Sequence, residues 1–175
     1  SCAFVGCENV ASVYYKGSID TWINVSLQDS GASPISSSTV TRNFYVGDIG
    51  ASSQNTGNTE TGSYDSETYY KVVNYVTSTS TTSISSFVFS NWTQLRTIVI
   101  ETNVTTISAY AFAGTTGITT VYYKQTEAYK NKFLTIAANN EGITANTVTW
   151  KYWSTYFNYT ASGYSVTFNG FNSAF

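Results

Sequence analysis

The sequence contains no histidine and carries little charge. Of its 175 residues only 10% are Asp, Glu, Lys or Arg, against about 25% in a typical soluble protein. Without histidine, Ser-His-Asp and Cys-His catalytic sites are excluded and a typical zinc site is not expected. The 10 acidic residues are dispersed, and no calcium-loop or phosphate-loop motif is present. We therefore predict that the protein is not an enzyme and needs no cofactor or metal.

Long apolar runs and basic runs are also missing. No stretch of about 18 apolar residues exists, so no membrane-spanning segment is predicted. The 8 Lys and Arg residues are scattered in a chain of net charge −2, which excludes nucleic acid as a partner. The chain begins at Ser1 without Met or a signal-peptide pattern. We expect a processed product or a piece of a longer secreted protein, located outside the cell or on its surface.

Cysteine is nearly absent, since Cys2 and Cys7 are the only two. A disulfide between them would close a very short loop and stabilise the fold little. A free or differently paired Cys2 is the alternative. Catalytic or redox use is not expected, because neither a CxxC motif nor a histidine accompanies them.

Asparagine, in contrast, is frequent and creates four Asn-x-Ser/Thr sequons. Such a sequon is an acceptor for N-glycosylation on a secretory route. Some matches are expected by chance in a chain so rich in Asn, Ser and Thr. The candidate glycosylation sites are Asn24, Asn91, Asn103 and Asn158.

The sequence also contains a repeat. CAFVGCENVASVYYK, residues 2–16, returns as YAFAGTTGITTVYYK, residues 110–124, with identities at a constant offset of 108. A third version lies at residues 87–100, and 112 − 89, 118 − 95 and 121 − 98 each equal 23. A unit of this length cannot bury its own apolar face, so it is stabilised by stacking on its neighbours.

The repeat predicts a mainly β fold with short helical turns, in which rungs of roughly 23 residues stack into a solenoid. Each unit ends in an alternating apolar run, which is typical of a short strand with one buried face. Ser18 and Thr126 each precede a short helical pattern, and Trp22 is predicted to be a core anchor. The apolar runs lie at residues 10–15, 72–77, 95–100 and 118–123.

The residues that carry this period resemble a known family. NVTTISAYAFAG, residues 103–114, followed by ITTV, is similar to the rung of BspA-like leucine-rich repeats, and Gly6-Cys7 matches the Gly-Cys pair of that pattern. Residues 13–48 are similar to a longer variant rung. The resemblance covers roughly residues 2–48 and 72–136. It implies a leucine-rich-repeat solenoid and a surface adhesin that binds host or matrix proteins.

Two segments depart from the repeat. Residues 49–70 are rich in Gly, Ser, Thr and Asn without periodicity, so we expect an exposed insertion or a flexible loop. Residues 150–175 are rich in aromatics, and Ala161-Ser162-Gly163 indicates a hairpin turn between two strands. We therefore place the repeat solenoid in residues 1–149, and a cap or assembly element in residues 150–175.

The strand pattern also predicts a binding face. If Leu95, Ile98 and Ile100 point inward, the residues between them point outward, and stacking aligns equivalent residues of successive rungs. A weakly polar strip with aromatic ends suits contact with a protein or a glycan. The predicted face consists of Tyr14, Asn74, Val76, Arg96, Val99, Thr120 and Tyr122.

These features favour an extracellular, non-catalytic module for adhesion or recognition. Its expected partner is a protein or glycan on a cell surface or in a matrix. The alternative is a structural subunit of an extracellular assembly, such as a filament, a sheath or a virion decoration, in which the partner is another copy of the chain. The low charge and the aromatic C-terminal segment are compatible with both hypotheses.

Overall fold

A computed structural model describes residues 3–29, 43–49, 58, 60–152, 158–160 and 163–165. In these ranges the chain is mainly strand, with a few short helices. The strands are β1 (Ser12–Ser18), β2 (Asn43–Asp48), β3 (Thr61–Tyr64), β4 (Glu67–Lys71), β5 (Asn74–Val76), β6 (Ser83–Ile84), β7 (Thr97–Ile100), β8 (Thr106–Ile107), β9 (Thr120–Tyr123), β10 (Thr135–Ile136), β11 (Thr149–Tyr152), β12 (Asn158–Thr160) and β13 (Gly163–Ser165). The helices are α1 (Ile19–Trp22), α2 (Glu127–Phe133) and α3 (Glu141–Thr144).

Two parallel sheets follow the 23-residue period. One has the strand order β11-β9-β7-β5 and the other the order β10-β8-β6. In the first sheet Asn74 pairs with Thr97 and Thr97 with Thr120, and both steps, 97 − 74 and 120 − 97, are 23 residues. The step from Thr120 to Thr149 is 29 residues, because α2 is inserted between β9 and β10. The predicted period is confirmed.

The turn before a repeat strand has the same geometry in three copies. Gly6, Asn91 and Gly114 occupy equivalent positions and adopt left-handed φ angles of +77°, +61° and +66°. Glycine adopts this conformation without steric cost, and asparagine tolerates it better than most residues. The side chain of Asn91 also fills the space where a Cβ atom on Gly114 would lie. Both the left-handed φ angle and the contact with Asn91 therefore exclude a side chain at position 114.

Successive turns stack through both backbone and ring contacts. The N–H groups of Phe89 and Asn91 donate to the carbonyl oxygens of Ala111 and Ala113 at 3.0 and 2.7 Å. The rings of Phe89 and Phe112 stack with centroids 5.0 Å apart, and both side chains are fully buried. Each turn thus obtains hydrogen-bond partners and an apolar contact from the next unit.

A sheet of mixed direction precedes the repeats, with the strand order β1-β2-β4-β3. β1 and β2 are parallel, whereas β3 and β4 form an antiparallel hairpin on β2. Asp65 and Ser66 connect the hairpin strands with φ angles of 51° and 63°, as in a two-residue type I′ turn. The expectation of an exposed insertion or a flexible loop at residues 49–70 is therefore corrected for residues 61–70, since cross-strand pairing and the burial of Tyr69 order them.

One apolar core joins the mixed sheet to the repeats. Trp22, in α1, is 6% exposed, and its ring packs against Phe44 with centroids 4.7 Å apart. Its indole N–H donates to the carbonyl oxygen of Val88 at 2.9 Å. The Ser18 side chain accepts a hydrogen bond from the Thr21 N–H, which caps α1. The predictions of a Ser18 cap and of Trp22 as a core anchor are confirmed.

The predicted C-terminal element begins later than expected. β11 is the last strand of the first parallel sheet, so the boundary placed between residues 149 and 150 falls inside it. β12 and β13 pair antiparallel, as predicted for the two strands of a hairpin. The residues after Ser165 lie outside the described ranges.

The ring stack predicts that Phe89→Ala lowers the free energy of unfolding by about 3–5 kcal/mol, because a fully buried aromatic ring is lost. Phe133→Ala is the control, since Phe133 is 45% exposed and exposed positions change stability by about 0.5 kcal/mol or less. Equilibrium unfolding in urea measures both values. Equal losses in the two variants would contradict the proposed dependence on stacking.

Candidate functional site

Part of the predicted binding face is buried. Val76, Val99 and Tyr122 align across β5, β7 and β9, but only 5%, 0% and 9% of each residue is exposed. The prediction that these three residues point into solvent is wrong. Strands of parallel sheets are commonly covered on both faces, and they then read as continuous apolar runs rather than alternating ones. The run Ile98-Val99-Ile100 carries that signal.

The other residues of the predicted face are dispersed. Asn74 and Thr120 are half-buried in the row of strand-initial residues. Arg96 is exposed and its guanidinium donates to the Thr93 carbonyl oxygen at 2.5 Å. Tyr14 pairs with Tyr45 in the mixed sheet, so the expected ladder from Tyr14 to Tyr122 does not form.

Tyr14 instead belongs to a cluster of four tyrosines on the mixed sheet. Its ring stacks on Tyr45 with centroids 4.9 Å apart and an interplanar angle of 7°. It also stacks on Tyr64 at 5.6 Å and meets the edge of Tyr69 at 5.2 Å. We call Tyr14, Tyr45, Tyr64 and Tyr69 the tyrosine cluster. Three of its four members were missed by the sequence analysis.

The β3–β4 hairpin positions this cluster. Gly62 lies opposite Tyr69 in the antiparallel pair, and a Cβ atom there would come within 3.0 Å of the rings of Tyr14 and Tyr45. The glycine therefore lets both rings lie close to the β3 backbone. The missed signal was Tyr64-Asp65-Ser66-Glu67, in which two turn-forming residues follow an aromatic strand residue.

Burial divides the cluster into a base and a contact surface. Tyr45 and Tyr69 are 7% and 1% exposed, whereas Tyr64 is 61% exposed and Tyr14 is half-buried. The buried rings of Tyr45 and Tyr69 both contact Tyr14, and Tyr14 in turn stacks on Tyr64. Tyr64 and Tyr14 therefore present a rigid aromatic surface, which loses little conformational entropy when a partner binds.

Two ion pairs lie beside the cluster. The Lys16 ammonium lies 3.2 Å from the Glu67 carboxylate, and Lys71 lies 2.8 Å from Glu60. The Tyr69 hydroxyl donates to Glu67 at 3.0 Å. This hydrogen bond and the nearby Lys16 lower the pKa of Glu67. The surface beside the rings is thus polar, with two ion pairs and the Asp65 carboxylate at the hairpin turn.

Burial is also the main cause that raises the pKa of Tyr69 and of Tyr45 above the ordinary value of 10.0. For Tyr69 the hydrogen bond to Glu67 adds to the effect, because an ionised phenol would face a carboxylate. The Tyr69 phenol therefore keeps the proton that it donates to Glu67 up to a higher pH than an ordinary tyrosine does.

The described residues include a small cavity beside the repeat turn of Gly114. A cavity of about 170 Å³ lies among Gly114, Ile118 and Val148, whereas ligand pockets start near about 300 Å³. The Glu141 carboxylate at its edge already accepts a hydrogen bond from the Gly114 N–H. In the same part of the chain no group of three or more metal-ligating side chains is assembled, and no helix is long and apolar enough to cross a membrane.

Comparison with known proteins decides the family. The model of the BspA type leucine-rich repeat region matches residues 55–169, in 6 copies. This chain belongs to the BspA type leucine-rich repeat family. The resemblance seen in the sequence is confirmed, and BspA-type repeats are in general non-catalytic protein-interaction modules. Searches of curated proteins and of solved structures found no match.

The BspA-type match begins at residue 55, so it leaves out the N-terminal copy of the repeat. At the other end it continues to residue 169, beyond residue 136, where the resemblance seen in the sequence ended. It includes β3 and β4 with Tyr64 and Tyr69, whereas Tyr14 and Tyr45 precede residue 55. The tyrosine cluster thus joins the matched repeats to the N-terminal copy of the repeat sequence. Its stacked rings need side chains from both parts.

The sequons differ in accessibility. Asn24 and Asn103 are exposed, and their side-chain amides donate to the carbonyl oxygens of Asp20 and Thr79. Asn91 is half-buried against the next turn. For Asn158 only the backbone is described. Glycosylation stays a prediction at all four sites.

The structure gives Cys7 as a free, half-buried cysteine, and Cys2 lies outside the described residues. The Thr115 hydroxyl takes the equivalent place in a later copy, where it donates to the Phe89 carbonyl oxygen at 2.6 Å. The repeat turn therefore forms without a thiol at this position.

Tyr69 gives the site a predictable pH response. Because its folded pKa is raised, the stability contributed by its neutral phenol is complete below pH 10.0 and is lost as pH rises through the folded pKa. Tyr69→Phe removes this proton, so its free energy of unfolding should fall less steeply on the alkaline side than that of the wild type. Urea unfolding at a series of alkaline pH values measures the slopes. Parallel curves for the two proteins would contradict the assignment.

Proposed function

We propose that this protein is an extracellular interaction module that binds partner proteins through the tyrosine cluster. The observation that carries the proposal is the exposed Tyr64 ring on a paired hairpin, which stacks on Tyr14, whose ring in turn contacts Tyr45 and Tyr69. Tyrosine is enriched among residues that dominate binding energy at protein interfaces. It offers a large apolar ring and a hydroxyl on a side chain with few rotatable bonds.

The repeats support this surface as a stiff scaffold. We infer that the 23-residue units form a solenoid in which each unit contributes a strand to each parallel sheet. The in-register pairs and the stacked turns support that arrangement. A scaffold stacked in this way transmits little motion to the hairpin that it carries.

The composition of the surface favours a protein partner. Glu60, Glu67, Lys16 and Lys71 form two ion pairs beside the cluster, which favours a partner surface of mixed polarity over a strongly acidic or strongly basic ligand. Polar and charged side chains surround the aromatic rings. A central aromatic contact with a polar rim is the usual anatomy of a protein interface. Surface location and adhesion fit the family and the low charge, and they belong to the same proposal.

The test is binding of the purified protein to a printed array of extracellular-matrix proteins and glycans. Tyr64→Ala should weaken the strongest protein signal at least about 30-fold, the effect of losing about 2 kcal/mol at a central contact. Tyr110→Ala is the matched control, because Tyr110 is also an exposed tyrosine, 42% accessible, but lies outside the cluster. It should bind like the wild type.

The array also separates the competing hypotheses. Unchanged protein binding by Tyr64→Ala would overturn the assignment of the cluster. Signals confined to glycans would replace the protein partner by a carbohydrate. If the chain binds only to spots of itself, the alternative of a structural subunit would be supported instead.

A further inference from the structure

The tyrosine cluster brings together two phenols from distant parts of the chain. Tyr14 lies in β1 and Tyr64 in β3, so the two are 50 positions apart in the sequence, 64 − 14. Their rings nevertheless stack, with centroids 5.6 Å apart and an interplanar angle of 20°. In an offset stack the ring edges overlap, so individual ring carbons lie closer together than the centroids do. Two phenols in such contact couple to each other when both are oxidised.

No disulfide within the chain can join these two segments. Cys2 and Cys7 are the only cysteines, and a bond between them would close a very short loop. A cross-link that closes a long loop restricts the unfolded chain more, and it therefore stabilises the folded state more. A covalent bond between β1 and β3 would supply the long-range closure that the cysteines cannot.

Tyr64 is the member of the tyrosine cluster that a soluble oxidant reaches most easily. Its residue is 61% exposed, and it is the last residue of β3, directly before the two-residue hairpin turn. Tyr14 is half-buried behind it. Because the two rings are in contact, an electron moves from Tyr14 to an oxidised Tyr64, and Tyr64 is then open to a second oxidation.

The other ring contacts of Tyr14 suit coupling less well. The Tyr45 ring is nearly parallel to it, but Tyr45 is only 7% exposed. Tyr69 is 1% exposed and meets Tyr14 edge-on at 74°. A packed ring cannot move to bonding distance without disturbing its neighbours. Tyr64 has solvent on its outer side, so a small tilt of its ring towards Tyr14 needs no rearrangement of the core.

We propose that Tyr14 and Tyr64 form an oxidative modification site, at which hydrogen peroxide, acting through a one-electron-oxidising peroxidase, joins the two rings in a dityrosine cross-link. Each phenol loses one electron and its hydroxyl proton, and the two phenoxyl radicals form a carbon–carbon bond between their ortho carbons. The hydrogen on each of these carbons then moves to the phenol oxygen, which restores both hydroxyls. The two electrons and two protons reduce hydrogen peroxide to two molecules of water. This modification does not depend on the function proposed for the cluster.

The test treats the purified protein with a haem peroxidase and hydrogen peroxide, and then digests the monomer with trypsin. Cleavage after lysine and arginine places Tyr14 in residues 1–16 and Tyr64 in residues 43–71. Mass spectrometry should find these two peptides joined, with the loss of two hydrogen atoms. In urea, the folding equilibrium constant of the cross-linked chain should be at least about 100-fold higher than that of the untreated chain, because a loop of about 50 residues is closed.

Three variants locate the bond. Tyr64→Phe and Tyr14→Phe keep the aromatic ring but remove the hydroxyl from which the radical forms, so each should lose the joined peptides. Tyr110→Phe is the matched control, because Tyr110 is 42% exposed and its ring stacks on Phe87, which is not a phenol. This control should form the cross-link like the wild type.

The proposal is overturned if the joined peptides are absent from the treated wild type or persist in Tyr64→Phe. It is also overturned if Tyr64 is found only in links between two chains. All of these results are read from the peptides and not from binding. They can therefore be interpreted even if the tyrosine cluster binds no partner protein.

Discussion

Stacking of one repeat unit on the next is the interaction on which the rest of the structure depends. A turn such as residues 89–93 makes local hydrogen bonds, but the N–H groups of Phe89 and Asn91 and the Phe89 ring find their partners in the following unit. The same stacking builds the two parallel sheets and the shared core. Trp22 extends it to the mixed sheet through the Val88 carbonyl oxygen, which fixes the position of the tyrosine cluster.

The repeat itself could be predicted from the sequence because its residues recur at one period. The phenylalanine of Phe89 and Phe112, the residue with a left-handed φ angle at Gly6, Asn91 and Gly114, and the apolar strand residues all recur. Each of them is required locally by the turn or the strand. The faces of the strands could not be assigned in the same way. Val99 lies at an alternating position yet is fully buried, because the burial of a sheet on its second face depends on distant segments.

The tyrosine cluster could not be predicted from the sequence either, because its rings come from segments that are distant along the chain. Tyr14 was predicted to lie on the binding face because the repeat puts it in register with Tyr122. In the fold it pairs with Tyr45 instead. Tyr64 and Tyr69 lie in a segment without repeat periodicity, and only the antiparallel pairing of β3 and β4 brings their rings to Tyr14. Departures from the repeat therefore create the candidate site, while the repeat supports it.

Hydrogen exchange of two equivalent amides tests most directly whether stability comes from stacking. The N–H groups of Cys7 and Thr115 make the same local hydrogen bond, but Phe112 in the turn of Thr115 is fully buried, whereas Phe4 in the turn of Cys7 is 36% exposed. If stacking stabilises the repeat, the Thr115 amide exchanges far more slowly than the Cys7 amide in the native protein, at a rate close to that of global unfolding. Equal exchange rates at the two sites would show that each turn is stable by itself and would contradict the account.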